Sequence, residues 1–265
     1  MISVRNLVKT FGGIRAVDGC TLDIAESTIT GLIGPNGAGK TTLFDIIAGF
    51  MRPDSGRIEL AGRDITGMAP HRLFRLGLTR TFQIPHAFSR MTVLESLMVV
   101  PSGQSGESMV SAWLRWGKVR REERELRRKA EKVIDFLQLS KVKNELAGNL
   151  SGGQKKLLEL GRAMMSDSRV ILLDEPGAGV NRTLLAKLTD NILRLNEEFG
   201  YTFCVIEHDM DMIAKLCDPI IVMAQGRVFA TGSMDEIRRN EGVIEAYLGG
   251  DMVGASGGAH QDSGH

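Results

Sequence analysis

A glycine-rich segment near the start of the chain has the residue types and spacing of a phosphate-binding loop. It consists of Gly34, Pro35, Asn36, Gly37, Ala38, Gly39, Lys40 and Thr41, and lies between a strand-like run and a helix-like run. Small residues let backbone N–H groups converge on phosphates, and the N-terminus of the following helix adds its dipole. Lys40 can neutralise β- and γ-phosphates, and Thr41 can ligate magnesium. A glycine-rich turn without a ligand is the alternative, and the complete pattern in this context argues against it.

Two adjacent carboxylates follow an apolar run in the second half of the chain. Residues 170–173 are apolar, and Asp174 and Glu175 come directly after them. Open α/β sheets place their ligand crevice at the carboxyl ends of strands. Asp174 therefore suits a metal ion, and Glu175 suits a general base that activates water. A chemically inert acidic turn would be the commoner explanation for the pair alone, but the phosphate loop argues against it.

Composition places the chain among ordinary globular proteins. With 43% hydrophobic and 25% charged residues in 265, it can bury a core, which excludes the disordered and collagen-like classes. A net charge of +1 gives no overall attraction for nucleic acid or anionic lipid. The three cysteines form no Cys-x-x-Cys pair, which argues against a disulfide framework or zinc knuckle and favours a reducing, cytosolic compartment. We expect neither a signal peptide nor a membrane span.

Strand-like and helix-like runs alternate in a way that predicts a mainly parallel sheet. The apolar runs 28–33, 170–173, 202–206 and 220–223 are typical of strands, and 182–199 is typical of a helix. Short apolar stretches between residues 2 and 60 predict further strands ahead of and around the phosphate loop. The Leu-, Glu-, Lys- and Arg-rich middle of the chain predicts a helical subdomain.

The segment Leu150-Ser151-Gly152-Gly153-Gln154, between the phosphate loop and the carboxylates, resembles the signature of ABC-type ATPases. The resemblance covers residues 2 to 249. It implies an α/β fold: a P-loop NTPase (RecA-like) core with a mainly parallel sheet, N-terminal antiparallel strands and an inserted helical subdomain. The implied organisation is one domain over 1–250, with a catalytic core (1–82 and 167–240), a helical subdomain (83–166) and a flexible tail (251–265).

The resemblance also implies roles for individual residues, with ATP and Mg²⁺ as ligands. Phe11 resembles the aromatic residue that stacks on adenine, Gln83 the glutamine that reaches the metal and the transporter contact, and His208 the switch histidine on the γ-phosphate. Alone, Phe11 would more often be a core residue and His208 a structural histidine. The expected catalytic residues are Glu175, His208 and Lys40; the expected metal ligands are Thr41, Gln83 and Asp174; the expected nucleotide-binding residues are Phe11, Gly34, Asn36, Gly37, Ala38, Gly39, Lys40, Thr41, Thr42, Gln83, Ser151, Gly152, Gly153 and Gln154.

Ser151 and the glycines after it should open a helix, whose N-terminal N–H groups and dipole suit a phosphate. In the family, two such domains pair head to tail, so that each signature covers the nucleotide held by the other domain. The chain departs from the common pattern at Asn181, where most relatives carry Asp. Asn keeps the hydrogen-bond geometry and loses the charge, which predicts altered communication between the two sites.

Further motifs, among them Ile206-Glu207-His208-Asp209 and Arg80-Thr81-Phe82-Gln83, resemble the larger ATP-binding subunit of branched-chain amino acid importers. The implied partners are transmembrane permease subunits, a second ABC ATPase subunit and, indirectly, a solute-binding protein outside the membrane, with no nucleic acid. The implied location is the cytoplasmic face of the plasma membrane. The alternatives are a urea or short-amide importer, a lipopolysaccharide-export ATPase and a soluble ABC ATPase of the iron–sulfur assembly type.

Two segments of the sequence each have two possible interpretations. Residues 115–132 hold nine basic and four acidic side chains. They predict either a helix near anionic headgroups, with Trp113 and Trp116 at the interface, or a solvated helix with pairs such as Glu125–Lys129. By resemblance, Phe88, Met91 and Leu94 lie where permease subunits dock; the alternative is that Phe88 and Leu94 are core residues.

Overall fold

The computed structural model describes residues 1–81, 88–101 and 116–245, and side chains within the last range from residue 118 onward. The strands are β1 (Ile2–Phe11), β2 (Ile14–Ile24), β3 (Ile29–Ile33), β4 (Ser55–Leu60), β5 (Arg63–Asp64), β6 (Leu78–Arg80), β7 (Val170–Asp174), β8 (Thr202–Ile206), β9 (Ile220–Ala224) and β10 (Arg227–Gly232). The helices are α1 (Lys40–Ile47), α2 (Pro70–Arg75), α3 (Val93–Met98), α4 (Trp116–Phe136), α5 (Gly152–Met165), α6 (Arg182–Phe199), α7 (Met210–Leu216) and α8 (Met234–Arg239).

The chain divides into two compact units. The first unit comprises Met1–Pro70 and the described residues from Thr202 onward, and the second comprises His71–Tyr201. The predicted boundaries of the catalytic core and helical subdomain stay predictions, and the predicted tail at 251–265 lies outside the described residues.

The first unit contains an antiparallel sheet and a mainly parallel sheet. The antiparallel sheet has the order β2-β1-β4-β5, and β1 pairs with β2 from Ile2 opposite Ile24 to Phe11 opposite Ile14. In the other sheet, β3 is parallel to both β8 and β9, while β9 and β10 form an antiparallel hairpin. All five residues of β3 and of β8 are buried, as the continuous apolar runs predict.

All three cysteines belong to this first unit. Cys20, Cys204 and Cys217 are free and buried, which agrees with the expectation of no disulfide framework. Burial raises the pKa of the Cys20 and Cys217 thiols to about 12, so both stay protonated and unreactive at neutral pH.

The second unit joins a pair of parallel strands to a group of helices. Strand β6 runs beside β7, with Leu78 opposite Val170 and Arg80 opposite Leu172. Helices α3, α4 and α5 pack together through buried residues that include Leu97, Val133 and Leu157. The sequence pattern predicted these helices but not β6, because three residues are too few to display a strand pattern.

The basic part of α4 carries ion pairs of the kind expected for a solvated helix. Three ion pairs at i,i+4 spacing line its surface: Lys118–Glu122 (3.5 Å), Arg121–Glu125 (3.1 Å) and Arg127–Glu131 (3.5 Å). The predicted Glu125–Lys129 pair is wrong, because Lys129 instead donates to the Met165 carbonyl at 2.9 Å. Trp113 and the Trp116 side chain lie outside the described part. Within the described ranges, no helix has the length and apolar character needed to cross a membrane.

Gly161 allows α5 to pack closely against its neighbours. A Cβ at this position would lie 2.7 Å from Leu137 Cδ1 and 3.2 Å from atoms of both Leu97 and Val133. The site is therefore crowded on three sides. This crowding accounts for a glycine within α5, although glycine is a poor helix former.

We expect Gly161→Ala to lower stability by about 1 kcal/mol, because overpacking outweighs the gain in helix propensity. Thermal unfolding of the single variant measures this. In a Leu137→Ala background, where the nearest atom is removed, the same substitution should be neutral or stabilising. A higher melting temperature for Gly161→Ala alone would contradict the close-packing explanation.

Candidate functional site

The phosphate loop joins β3 to α1, and two of its glycines are required by close backbone contacts. Gly34 has φ +149° and Gly39, the N-cap of α1, has φ +94°. A Cβ on Gly34 would overlap the Met223 carbonyl oxygen, and one on Gly39 would overlap the Ala16 carbonyl oxygen. Only glycine fits at either position. These contacts fix the path of the loop between β2 and the end of β9.

Lys40 is the first residue of α1, and its side chain folds back onto the loop. Its side chain is buried, and Nζ donates hydrogen bonds to the carbonyl oxygens of Gly34 at 2.7 Å and Pro35 at 3.0 Å. Asn36, Gly37 and Thr41 are exposed around it, Ala38 is buried and Thr42 is half-buried. A fixed ammonium within a glycine-rich loop at the start of a helix is an arrangement that favours phosphate.

Phe11 and His208 belong to the same unit as the loop. Phe11 ends β1 with 45% of its surface exposed, so the core interpretation of this residue is wrong. The Lys9 ammonium lies 5.6 Å from its ring centroid. His208 follows β8, is exposed, and donates its backbone N–H to Glu207 Oε2 at 3.0 Å. Both side chains are accessible to a ligand.

The two predicted acidic residues differ in environment. Asp174 ends β7 with a side chain that is 6% exposed, and its Oδ2 accepts a 2.6 Å ion-paired hydrogen bond from Arg80 Nη2. Glu175 is half-buried and has φ +47°, a left-handed conformation that is rare outside glycine. The backbone therefore turns sharply between them, and such conformations concentrate at functional sites.

None of the sequence motifs assigned a role to Arg80. The sequence offered one signal, a charged residue three positions before the predicted Gln83. Gln83 itself lies outside the described residues.

Asp174 has the chemistry to hold a magnesium ion. The described ranges contain no group of three or more His, Cys, Asp or Glu side chains suited to a metal. Magnesium does not need one, because it retains water and phosphate ligands and binds through one or two carboxylates. The carboxylate of Asp174 already attracts a cation, the Arg80 guanidinium, to 2.6 Å. Asp174 is therefore the kind of carboxylate ligand through which Mg²⁺ binds.

The signature segment begins α5 through reciprocal hydrogen bonds. Ser151 is the N-cap; its Oγ accepts from Gln154 N at 3.4 Å, while its own N–H donates to Gln154 Oε1 at 2.9 Å. Gly153 is held against α6, since a Cβ there would lie 2.5 Å from Leu184 Cδ1. Ser151 and Gly152 are exposed. The predicted helix start is confirmed, and Ser151 and Gln154 each have a structural role in it.

Asn181 begins α6. Its side-chain oxygen accepts the Leu184 N–H at 3.0 Å, which makes it the N-cap. Asn and Asp are both strong N-caps, so either residue would be compatible with the same local structure.

The three predicted docking residues have different surroundings. Phe88 is half-buried beneath the Arg162 guanidinium, whose carbon lies 4.8 Å from the ring centroid. Met91 is half-buried, and its carbonyl accepts from Ala147 N at 2.9 Å. Leu94 is 8% exposed and belongs to the core, so its assignment to a docking groove is wrong.

Comparison with known proteins gives family matches along most of the chain. A model described as ABC transporter matches residues 17–178, and one described as branched-chain amino acid ATP-binding cassette transporter matches residues 227–253. The probable branched-chain amino acid transport ATP-binding protein LivG of Archaeoglobus fulgidus is 42% identical over 94% of this chain and 95% of its own. The high-affinity branched-chain amino acid transport ATP-binding protein BraF of Pseudomonas aeruginosa is 38% identical over 94% and 98%.

Solved structures of ATP-binding cassettes also resemble this chain. A nucleotide-free ATP-binding cassette from an ABC transporter is 36% identical, with a TM-score of 0.79 over 93% of this chain and 98% of its own. An ADP-bound conformation of such a cassette is 37% identical, with a TM-score of 0.79 over 94% and 98%. These likenesses confirm the predicted fold class, an α/β P-loop core of the ATP-binding cassette type.

We expect Asn181→Ala to destabilise α6 by about 1 kcal/mol, because the Leu184 N–H loses its acceptor. Asn181→Asp should keep the cap and gain up to about 0.5 kcal/mol from a negative charge at the helix N-terminus. Thermal unfolding compares both with Thr183→Ala, a control at an exposed position in the first turn. If Asn181→Ala and Thr183→Ala melt together, the capping role is wrong.

Proposed function

The chain belongs to the ABC transporter ATPase family, and from that membership we propose that it powers the import of branched-chain and other hydrophobic amino acids. It would do so on the cytoplasmic face of the plasma membrane, through separate permease subunits. The observation that carries this proposal is the 42% identity, over 94% of the chain, to a protein named for branched-chain amino acid transport. The second family match, over residues 227–253, supports the same substrate class.

These observations favour the amino-acid importer over the alternatives predicted from the sequence. The relatives compared above carry names of branched-chain amino acid transport proteins. Urea or short-amide import, lipopolysaccharide export and soluble iron–sulfur assembly are therefore not favoured.

The phosphate loop would hold the nucleotide, and the Lys40 ammonium would neutralise negative charge on its phosphates. The carbonyls of Gly34 and Pro35 fix the ammonium in place, so its orientation costs little entropy when phosphate binds. The exposed ring of Phe11 would stack on adenine. Thr41, Asp174 and Gln83 would hold Mg²⁺, which supplies charge neutralisation for the phosphates when bound.

Hydrolysis would depend on Glu175 and His208. Glu175 would accept the proton of the attacking water as general base, and the imidazole of His208 would donate a hydrogen bond to the γ-phosphate. The left-handed backbone at Glu175 supports this role, because it fixes the direction of the residue after the β7 end.

A second ABC ATPase subunit would complete the site. The exposed Ser151 and Gly152 at the N-terminus of α5 would cover the γ-phosphate bound to the partner's loop, in the head-to-tail arrangement. Permease subunits would dock near Phe88, and a solute-binding protein outside the membrane would act indirectly. We propose no nucleic-acid partner, in keeping with the net charge of +1.

Glu175→Gln should leave ATP binding near normal and reduce turnover by about 10²–10⁴-fold, because an amide cannot accept the proton from water. With ATP, a stable dimer should accumulate. ATP affinity, steady-state hydrolysis and size-exclusion chromatography measure the three effects. Glu198→Gln, on the exposed face of α6 beside Arg194, is the matched control and should hydrolyse ATP normally. Turnover at the wild-type rate in Glu175→Gln would place the base elsewhere.

Phe88→Ala should fold and bind ATP, yet reduce recovery with the permease complex and solute-stimulated hydrolysis. Alanine is preferable to aspartate, because an aspartate beneath Arg162 would form a new ion pair there. Co-purification from solubilised membranes and hydrolysis in proteoliposomes measure the effect. Phe229→Ala, an exposed phenylalanine on β10, controls for loss of an aromatic surface residue. Normal assembly and stimulation in folded Phe88→Ala would rule out docking through this residue.

A further inference from the structure

The ion pair between Arg80 and Asp174 is almost fully removed from solvent. Arg80 ends β6 and Asp174 ends the adjacent parallel strand β7. Their side chains are 13% and 6% exposed, and Arg80 Nη2 lies 2.6 Å from Asp174 Oδ2. Most other ion pairs in the described part of the chain, such as Arg194–Glu198, are well exposed. Burial makes this pair a strong electrostatic feature rather than a surface contact.

A buried ion pair adds little net stability, because desolvation of both charges offsets their attraction. Stability alone is therefore a weak reason for placing an arginine here. The proposed function gives Asp174 another cation, Mg²⁺. The Arg80 side chain carries a positive charge, which would face any metal that binds this carboxylate.

We propose that Arg80 is a positioning residue that sets the Mg²⁺ affinity of the site by competing with the metal for the Asp174 carboxylate. The proposal rests on the proposed function, in which Asp174 ligates Mg²⁺. The guanidinium donates a hydrogen bond to Asp174 Oδ2 and reduces the negative charge available to a metal. Its positive charge also repels a divalent ion directly. The site therefore binds Mg²⁺ more weakly than an uncompensated buried carboxylate would.

The test is a Mg²⁺ titration of ADP binding, which involves no turnover. Binding of a fluorescent ADP analogue to the full chain is followed at fixed nucleotide concentration while Mg²⁺ is raised. We expect the Mg²⁺ midpoint of Arg80→Gln to fall about ten-fold, because removing one charge near a divalent ion strengthens its binding. Arg80→Lys keeps the charge and should stay within about three-fold of wild type. ADP affinity in excess EDTA should be unchanged.

Arg194→Gln is the matched control, because it removes an arginine from an exposed ion pair in the same unit. Its Mg²⁺ midpoint should equal that of wild type. An unchanged midpoint in folded Arg80→Gln would show that the pair is only structural, and a higher midpoint would show that Arg80 assists metal binding. Either result overturns the proposal.

A second measurement tests the proposal if the variants that replace Arg80 with an uncharged residue are unstable. Arg80→Gln and Arg80→Met are purified with MgADP, and their melting temperatures are compared in ADP with and without Mg²⁺. We expect Mg²⁺ to raise the melting temperatures of these variants more than it raises that of the wild type. An equal rise in variants and wild type overturns the proposal. If the proposed function itself is wrong, the results differ. ADP binding by the wild type would then not respond to Mg²⁺, or Asp174→Asn would keep the wild-type Mg²⁺ midpoint.

Discussion

The backbone contacts that fix the phosphate loop are the constraint on which the nucleotide site depends. Gly34 lies against the Met223 carbonyl and Gly39 against the Ala16 carbonyl, so neither position accommodates a Cβ. Hydrogen bonds from Gly226 N to Ala38 O and from Asp18 N to Gly226 O tie the loop to the β9–β10 turn and to β2. Strands distant in sequence thus hold one short loop. Two carbonyl oxygens of this loop accept hydrogen bonds from the Lys40 ammonium.

Burial of charge distinguishes the two units. In the first unit, Lys40 is buried among carbonyl oxygens, which lower the cost of desolvating a cation without neutralising it. In the second unit, Asp174 is buried against a full positive charge. A metal at Asp174 would therefore meet a carboxylate whose charge is already compensated. This compensation supports the proposal that Arg80 sets the metal affinity of the site.

The sequence predicted the elements whose patterns are long or chemically specific. Continuous apolar runs predicted β3, β7, β8 and β9, and the phosphate-loop pattern was enough to predict its strand–turn–helix context. It did not predict β6 or the Arg80–Asp174 pair, because three residues carry no periodicity and pairing across strands depends on register. The sequence could not show which of Leu94 and Phe88 is a core residue. Both are apolar, and only packing decides which one is buried.

The signature segment illustrates how local physics and function can require the same residues. Ser151 and Gln154 form a capping box, as Thr92 with Glu95 and Ser233 with Glu236 do at the starts of α3 and α8. Those two helices carry Glu at the third position, which would place a negative charge at the helix start. Gln154 completes the same box without a charge, and so leaves the N-terminus of α5 attractive to an anion. The choice of Gln over Glu is therefore what separates a helix start suited to phosphate from one that is only capped.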